Sequence, residues 1–142
     1  MHVDASPSAG RHSELRLPDN AGAPTAARTF VRDLLASWRC DDPGRVAELL
    51  TSELVSNVVL HARTSLRIDA SLSGAVLRVA VSDRVAAFPD RSELPDRMPV
   101  PDAEGGRGLQ LVDLLARTWG VEASDEGKSI WFESDVRCER SG

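Results

Sequence analysis

Apolar positions along this chain switch between a helical and a strand period, and the switches mark out its elements. Phe30, Leu34 and Trp38 recur on one stripe beside Val31 and Leu35, which predicts a helix opened by Pro24 and running to about Trp38. Cys40-Asp-Asp-Pro-Gly44 breaks that pattern. Asp42 can then cap, and Pro43 open, a second helix to about Ala62. Leu66, Ile68 and Ala70 alternate with polar residues, as do Leu77, Val79 and Val81, giving two strands turned at Ser73-Gly74. Gly105-Gly-Arg-Gly108 feeds a helix containing Leu109, Leu111, Val112, Leu114 and Leu115. Trp119 to Ala123 and Ser129 to Glu133 read as a final hairpin around Asp125-Glu-Gly127. Glu14 to Leu17 supplies a short first strand.

The resulting order is strand, two helices, two strands, a long connection, helix, two strands. It predicts an α/β two-layer sandwich, with a mixed, mostly antiparallel sheet covered on one face by helices. The folded unit is expected over residues 14–134, after a mobile lead-in at 1–13 and before a tail at 135–142. Residues 84–104 carry Pro89, Pro95, Pro99 and Pro101 among charges and show neither period. A structureless stretch of that length inside a compact domain reads as a functional lid or a disordered segment.

Composition narrows the field of functions. The 142 residues are enough for one domain with an ordinary core. A net charge of −5 argues against general nucleic-acid binding, which needs a basic surface. No apolar run reaches the length of a membrane span, and no signal peptide opens the chain, so a cytoplasmic protein is expected. Cys40 and Cys138 lack metal-like spacing and are expected to be reduced thiols. Lys128 is the only lysine; every other base is arginine.

The candidate chemistry begins in the second helix. At roughly 100° per residue, Glu53, Asn57 and His61 fall on one stripe flanked by Val46, Leu50 and Leu60, while Arg45, Glu48, Ser52, Ser56 and Arg63 form the expected solvated face. A proton acceptor one turn from an amide oxygen that can ligate a hard cation suits phosphate chemistry. Alone, such a Glu also reaches solvent and such an Asn also satisfies a neighbouring backbone group.

Three further signals follow. Gly105-Gly106-Arg107-Gly108 at a helix start offers close backbone approach and unpaired N–H donors to an anion, although a lone glycine cluster is more often a hinge. Asp83 ends a strand, where it can accept from an exocyclic amine or merely form a turn. Lys128-Ser129 enters the last strand, where a hydroxyl can complete a polar pocket or be an ordinary hairpin edge. His2, His12 and His61 are too scattered for a metal cluster.

Taken in order, these segments resemble the GHKL, or Bergerat-fold, ATP-binding domains, and within them the small anti-sigma-factor serine/threonine kinases. The resemblance rests on Glu53-Leu-Val-Ser-Asn57-Val-Val-Leu-His-Ala62, Gly106-Arg-Gly-Leu-Gln-Leu-Val-Asp113 and Gly127-Lys-Ser-Ile-Trp-Phe132. It implies Glu53 as general base, Asn57 as Mg²⁺ ligand and Asp83 as acceptor from adenine, with Ser129 assisting beside it. Gly106, Arg107, Gly108 and Leu109 would hold the nucleotide beneath the lid. It also implies ATP and Mg²⁺ as cofactors, a small antagonist protein and a sigma factor as partners, and a homodimer. One departure stands out: the family continues Asp-x-Gly-x-Gly, whereas Asp83 is followed by Arg84-Val-Ala-Ala-Phe-Pro89. Arg84 would swing over the ligand, and Val85 and Phe88 would cover the base. The missing glycines support a rival reading, a non-catalytic module that sequesters a partner; a third reading is an ATP-hydrolysing switch without a protein acceptor.

Overall fold

In the computed structural model, residues 11–18, 20–62, 65–83, 106–124 and 127–139 are described. Five strands form one antiparallel sheet in the order β1-β3-β4-β6-β5: β1 (Arg11–Leu17), β3 (Leu66–Ser73), β4 (Val76–Asp83), β5 (Thr118–Ser124) and β6 (Gly127–Asp135). Helices α1 (Ala23–Ser37), α2 (Val46–Ala62) and α3 (Gly106–Leu115) supply the second layer. This is the two-layer α/β arrangement that the alternation predicts.

The period of two decides which side chains meet the helices. Leu66, Ile68, Ala70 and Leu72 of β3 are buried, as are Leu77, Val79 and Val81 of β4 and Ile130 and Phe132 of β6. The intervening residues form the outer face. There Arg78 lies 4.0 Å over the Trp131 ring and reaches Glu133 at 3.5 Å. Trp131 lies flat because its β5 partner is Gly120, where a Cβ would stand 2.8 Å from the indole.

Helix α2 is the centre of the other layer, with α1 and α3 as neighbours and β4 and β6 beneath it. Its start is set by Asp42, whose two carboxylate oxygens accept from the Ala47 and Glu48 N–H groups across a 3-10 turn, Pro43–Arg45. Gly44 occupies the left-handed region in that turn (φ 68°), which glycine adopts without strain.

Packing corrects the expected solvated face of α2. Arg45 is exposed, but Glu48 and Ser52 are buried and Ser56 is half-buried. The cause is α1, whose Arg32 donates through Nε and Nη2 to the Glu48 carboxylate, at 3.4 and 3.1 Å. Ser52 turns its hydroxyl back to the Leu49 carbonyl. Arg63 lies outside the described residues.

The first strand starts at Arg11 rather than near residue 14, because Arg11 to Ser13 continue the ladder along β3 and His12 approaches Asp69 at 3.3 Å. The polar tail also folds. Residues Arg137–Cys138 (β7) pair with Cys40–Asp41 (β2), and Val136 is buried. Cys40 and Cys138 face each other across that pair and are joined in a disulfide spanning 98 positions, which corrects the expectation of reduced thiols. Sequence separation hid the pairing, because the Val136 N–H to Ala75 carbonyl and Glu139 N–H to Arg39 carbonyl bonds carry the tail back.

Reduction, or Cys40→Ser with Cys138→Ser, is expected to destabilise the fold by about 2–4 kcal/mol, since it frees a long loop in the unfolded chain. Denaturant melts with and without reductant measure this; coincident curves would show the bridge to be absent in solution.

Candidate functional site

Glu48 and Asn57 are nine residues apart, which puts them about 180° apart around α2. Glu48 faces α1 through Arg32, so Asn57 lies on the flank that borders α3. It is 4% exposed. Its Oδ1 is buried and has no hydrogen-bond partner among the described residues. Glu53, one turn earlier, is half-buried at the margin of the same flank. His61 belongs to α2, but its side chain lies outside the described residues.

The sheet contributes a second polar group. Asp83 is two positions beyond Val81 on β4 and shares its inward face; it is 4% exposed. The β4–β6 register pairs Val81 with Ile130 and Ser82 with Ser129, so the next opposed position to Asp83 is Lys128. The Lys128 N–H donates to Asp83 Oδ1 at 3.2 Å. Helix α2 covers β4 and β6, and α3 packs against both α2 and β5. The seam between α2 and α3 therefore overlies the strand pair that carries Asp83 and Lys128.

Ser129 does not join this group. Alternation turns it to the outer face with Trp131 and Glu133, opposite Ser82. Lys128 takes the inward place that the sequence reading gives to Ser129. Counting by twos from Phe132 and Ile130 is enough to find it. Gly106 and Gly108 form the first turn of α3, beside α2. The side chains of Arg107 and Leu109, together with Arg84, Val85, Phe88 and the whole expected lid, lie outside the described residues.

The electrostatics follow from burial. Desolvation pushes the Lys128 ammonium below its ordinary value, and attraction to Asp83 opposes the shift. No cluster of three His, Cys, Asp or Glu residues suited to a metal occurs among the described residues. A cation here would rest on the Asn57 oxygen and on groups brought by a ligand. That suits Mg²⁺, which keeps waters and phosphate oxygens rather than an all-protein cage.

Fold and seam together define a two-layer α/β domain in which buried polar groups, Asn57 on the helix layer and Asp83 on the sheet, lie among apolar packing. The chain belongs to the histidine kinase-like ATPase domain family, whose model matches residues 17–133. Its fold is similar to the crystal structure of the RsbU and RsbW domains of Rv1364c from Mycobacterium tuberculosis, with a TM-score of 0.65 over 92% of this chain at 18% identity. This chain spans 35% of that longer one. No curated protein matches it by sequence. No helix among the described residues is long and apolar enough to cross a membrane.

The chain has no tyrosine and both cysteines are bridged, so Lys128 alone among side chains titrates in the alkaline range below arginine. Because its folded value is lowered, the unfolded chain holds the proton to higher pH, and stability rises across the interval between the two values. Unfolding free energies measured across that range should climb for the native chain and stay flat for Lys128→Met. Equal slopes would show that the lysine is not desolvated.

Proposed function

We propose that this protein binds ATP with Mg²⁺ and transfers the γ-phosphoryl group to a serine or threonine of a small antagonist protein, in a partner switch that also engages a sigma factor. The observation that carries this reading is the buried, unpartnered Oδ1 of Asn57. A buried acceptor without a partner costs roughly 1–3 kcal/mol, and a cation at that oxygen offsets the cost. Membership of the ATPase family and the Glu53–Asn57 spacing support the same reading.

In this mechanism Asn57 would hold the metal through Oδ1, and Mg²⁺ would supply charge neutralisation on the phosphates. Glu53, half-buried one turn away, takes the proton from the attacking hydroxyl while keeping a path to solvent. Asp83, fixed by the Lys128 amide, accepts from the exocyclic amine of the base. The first turn of α3 offers its backbone N–H groups to the phosphates. Phosphoryl transfer asks for positioning, charge neutralisation and one base, and little more.

Calorimetric titration of ATP should give binding that requires Mg²⁺ and weakens on Asn57→Ala. Glu53→Ala should bind ATP within a few-fold of the native chain and lose about 100-fold or more in transfer to the antagonist. Equal transfer rates for native and Glu53→Ala protein would remove Glu53 as the base. Tight ATP binding without transfer to any antagonist would favour the sequestering module, and phosphate release without an acceptor the hydrolysing switch.

A further inference from the structure

One end of the inner sheet face is chemically unlike the rest. Val79, Val81, Ile130 and Phe132 are apolar and fully buried, and the next opposed pair is Asp83 with Lys128. Asp83 is 4% exposed and oriented by the Lys128 N–H. Lys128, the chain's single lysine, is half-buried on the same face. A desolvated ion pair contributes little to stability, and apolar residues of similar volume often do as well. Stability therefore gives no reason for two opposite charges at the mouth of an apolar layer.

Recognition does give one. An ionised carboxylate only accepts and an ammonium only donates, so the pair presents an acceptor and a donor side by side. Adenine carries the complement, an exocyclic amine flanked by ring nitrogens that accept. A 6-oxo purine in the same seat reverses the pattern, setting a carbonyl oxygen against Asp83 and an N–H towards the ammonium. We propose that Lys128 is the second half of a base-reading pair, its ammonium donating to a ring nitrogen beside the amine that Asp83 accepts. This rests on the ATP reading of the cleft and adds to it the residue that selects the base.

The loss of solvation at Lys128 fits this role. A partly desolvated ammonium forms a stronger hydrogen bond to a neutral acceptor than one fully in water, because the competing solvent is already gone. Ser129, on the outer face, takes no part.

The test is equilibrium binding of ATP, 1-deaza-ATP, 7-deaza-ATP and ITP, each with Mg²⁺, to the native chain and to Lys128→Met. The native chain should lose about tenfold in affinity for one deaza analogue, the size of one charge-assisted hydrogen bond. It should also bind ITP more weakly than ATP. The deaza gap should close in Lys128→Met, with ATP itself falling to the level of that analogue, whereas ITP, whose carbonyl still opposes Asp83, should stay weaker than ATP. A native chain that binds ATP and both deaza analogues alike, or a deaza gap that survives in Lys128→Met, would overturn the role of Lys128 and leave the ATP reading intact. A native chain that binds none of the four would overturn both. Reductive methylation followed by mass spectrometry gives a second readout that needs no variant, since Lys128 is the chain's only side-chain amine. Saturating ATP with Mg²⁺ should slow its modification, and an unchanged rate with ATP bound would also overturn the proposal.

Discussion

Everything in this fold that bears on chemistry depends on the enclosure of α2. A helix packed between two others above a sheet has one narrow strip left for solvent, and every polar group elsewhere on it must find a partner or carry a cost. Glu48 meets Arg32, and Ser52 turns back on its own backbone. Asn57 and Thr51 differ from these, because the Asn57 carbonyl oxygen and the Thr51 hydroxyl are buried and find no partner among the described residues. The α1 flank is closed by an ion pair, while the α3 flank keeps an acceptor in reserve.

The constraints on α2 are unevenly spread along its length. The Asp42 carboxylate grips the first amides, Arg32 grips Glu48, and the disulfide anchors the strand just before the helix. All three act within its first turn or before it. Asn57 lies roughly 13 Å further along the axis at 1.5 Å per residue. These polar contacts hold the start of the helix, while Leu54, Val55 and Val58 pack its later half into the core beside Asn57. A site built on a fixed helix and a paired strand end holds its geometry better than one built from loops.

The layer order, the five-stranded sheet and the apolar faces were legible in the sequence because period two and period 3.6 are local signals. Ile68, Val79 and Val81 alternate, and Val31 and Leu35 repeat by fours, whatever packs above them. The long-range features were not. Nothing local to Glu48 announces Arg32, sixteen residues earlier on another helix, so the wheel alone placed it in solvent. Cys40 and Cys138 meet only because the tail crosses back under two backbone hydrogen bonds. The Glu53–Asn57 spacing could be read because a helix fixes it. The register sets Ser129 on the outer face and Lys128 on the inner one, a matter of phase that no single residue announces, since one residue along a strand exchanges the inner face for the outer.

That phase shows what the strand register does at this end of the sheet. Had β6 been shifted by one residue against β4, Ser129 would face the cleft and the ammonium would lie among the carboxylates of the outer face. The buried pairs Val81–Ile130 and Val79–Phe132 forbid the shift, because it would expose Ile130 and Phe132 together. The same apolar contacts that stabilise the sheet therefore set the charge beside Asp83. Core packing and the placement of charge beside Asp83 are one constraint here, and a substitution at Ile130 that loosened the register would be felt on both faces of the sheet at once.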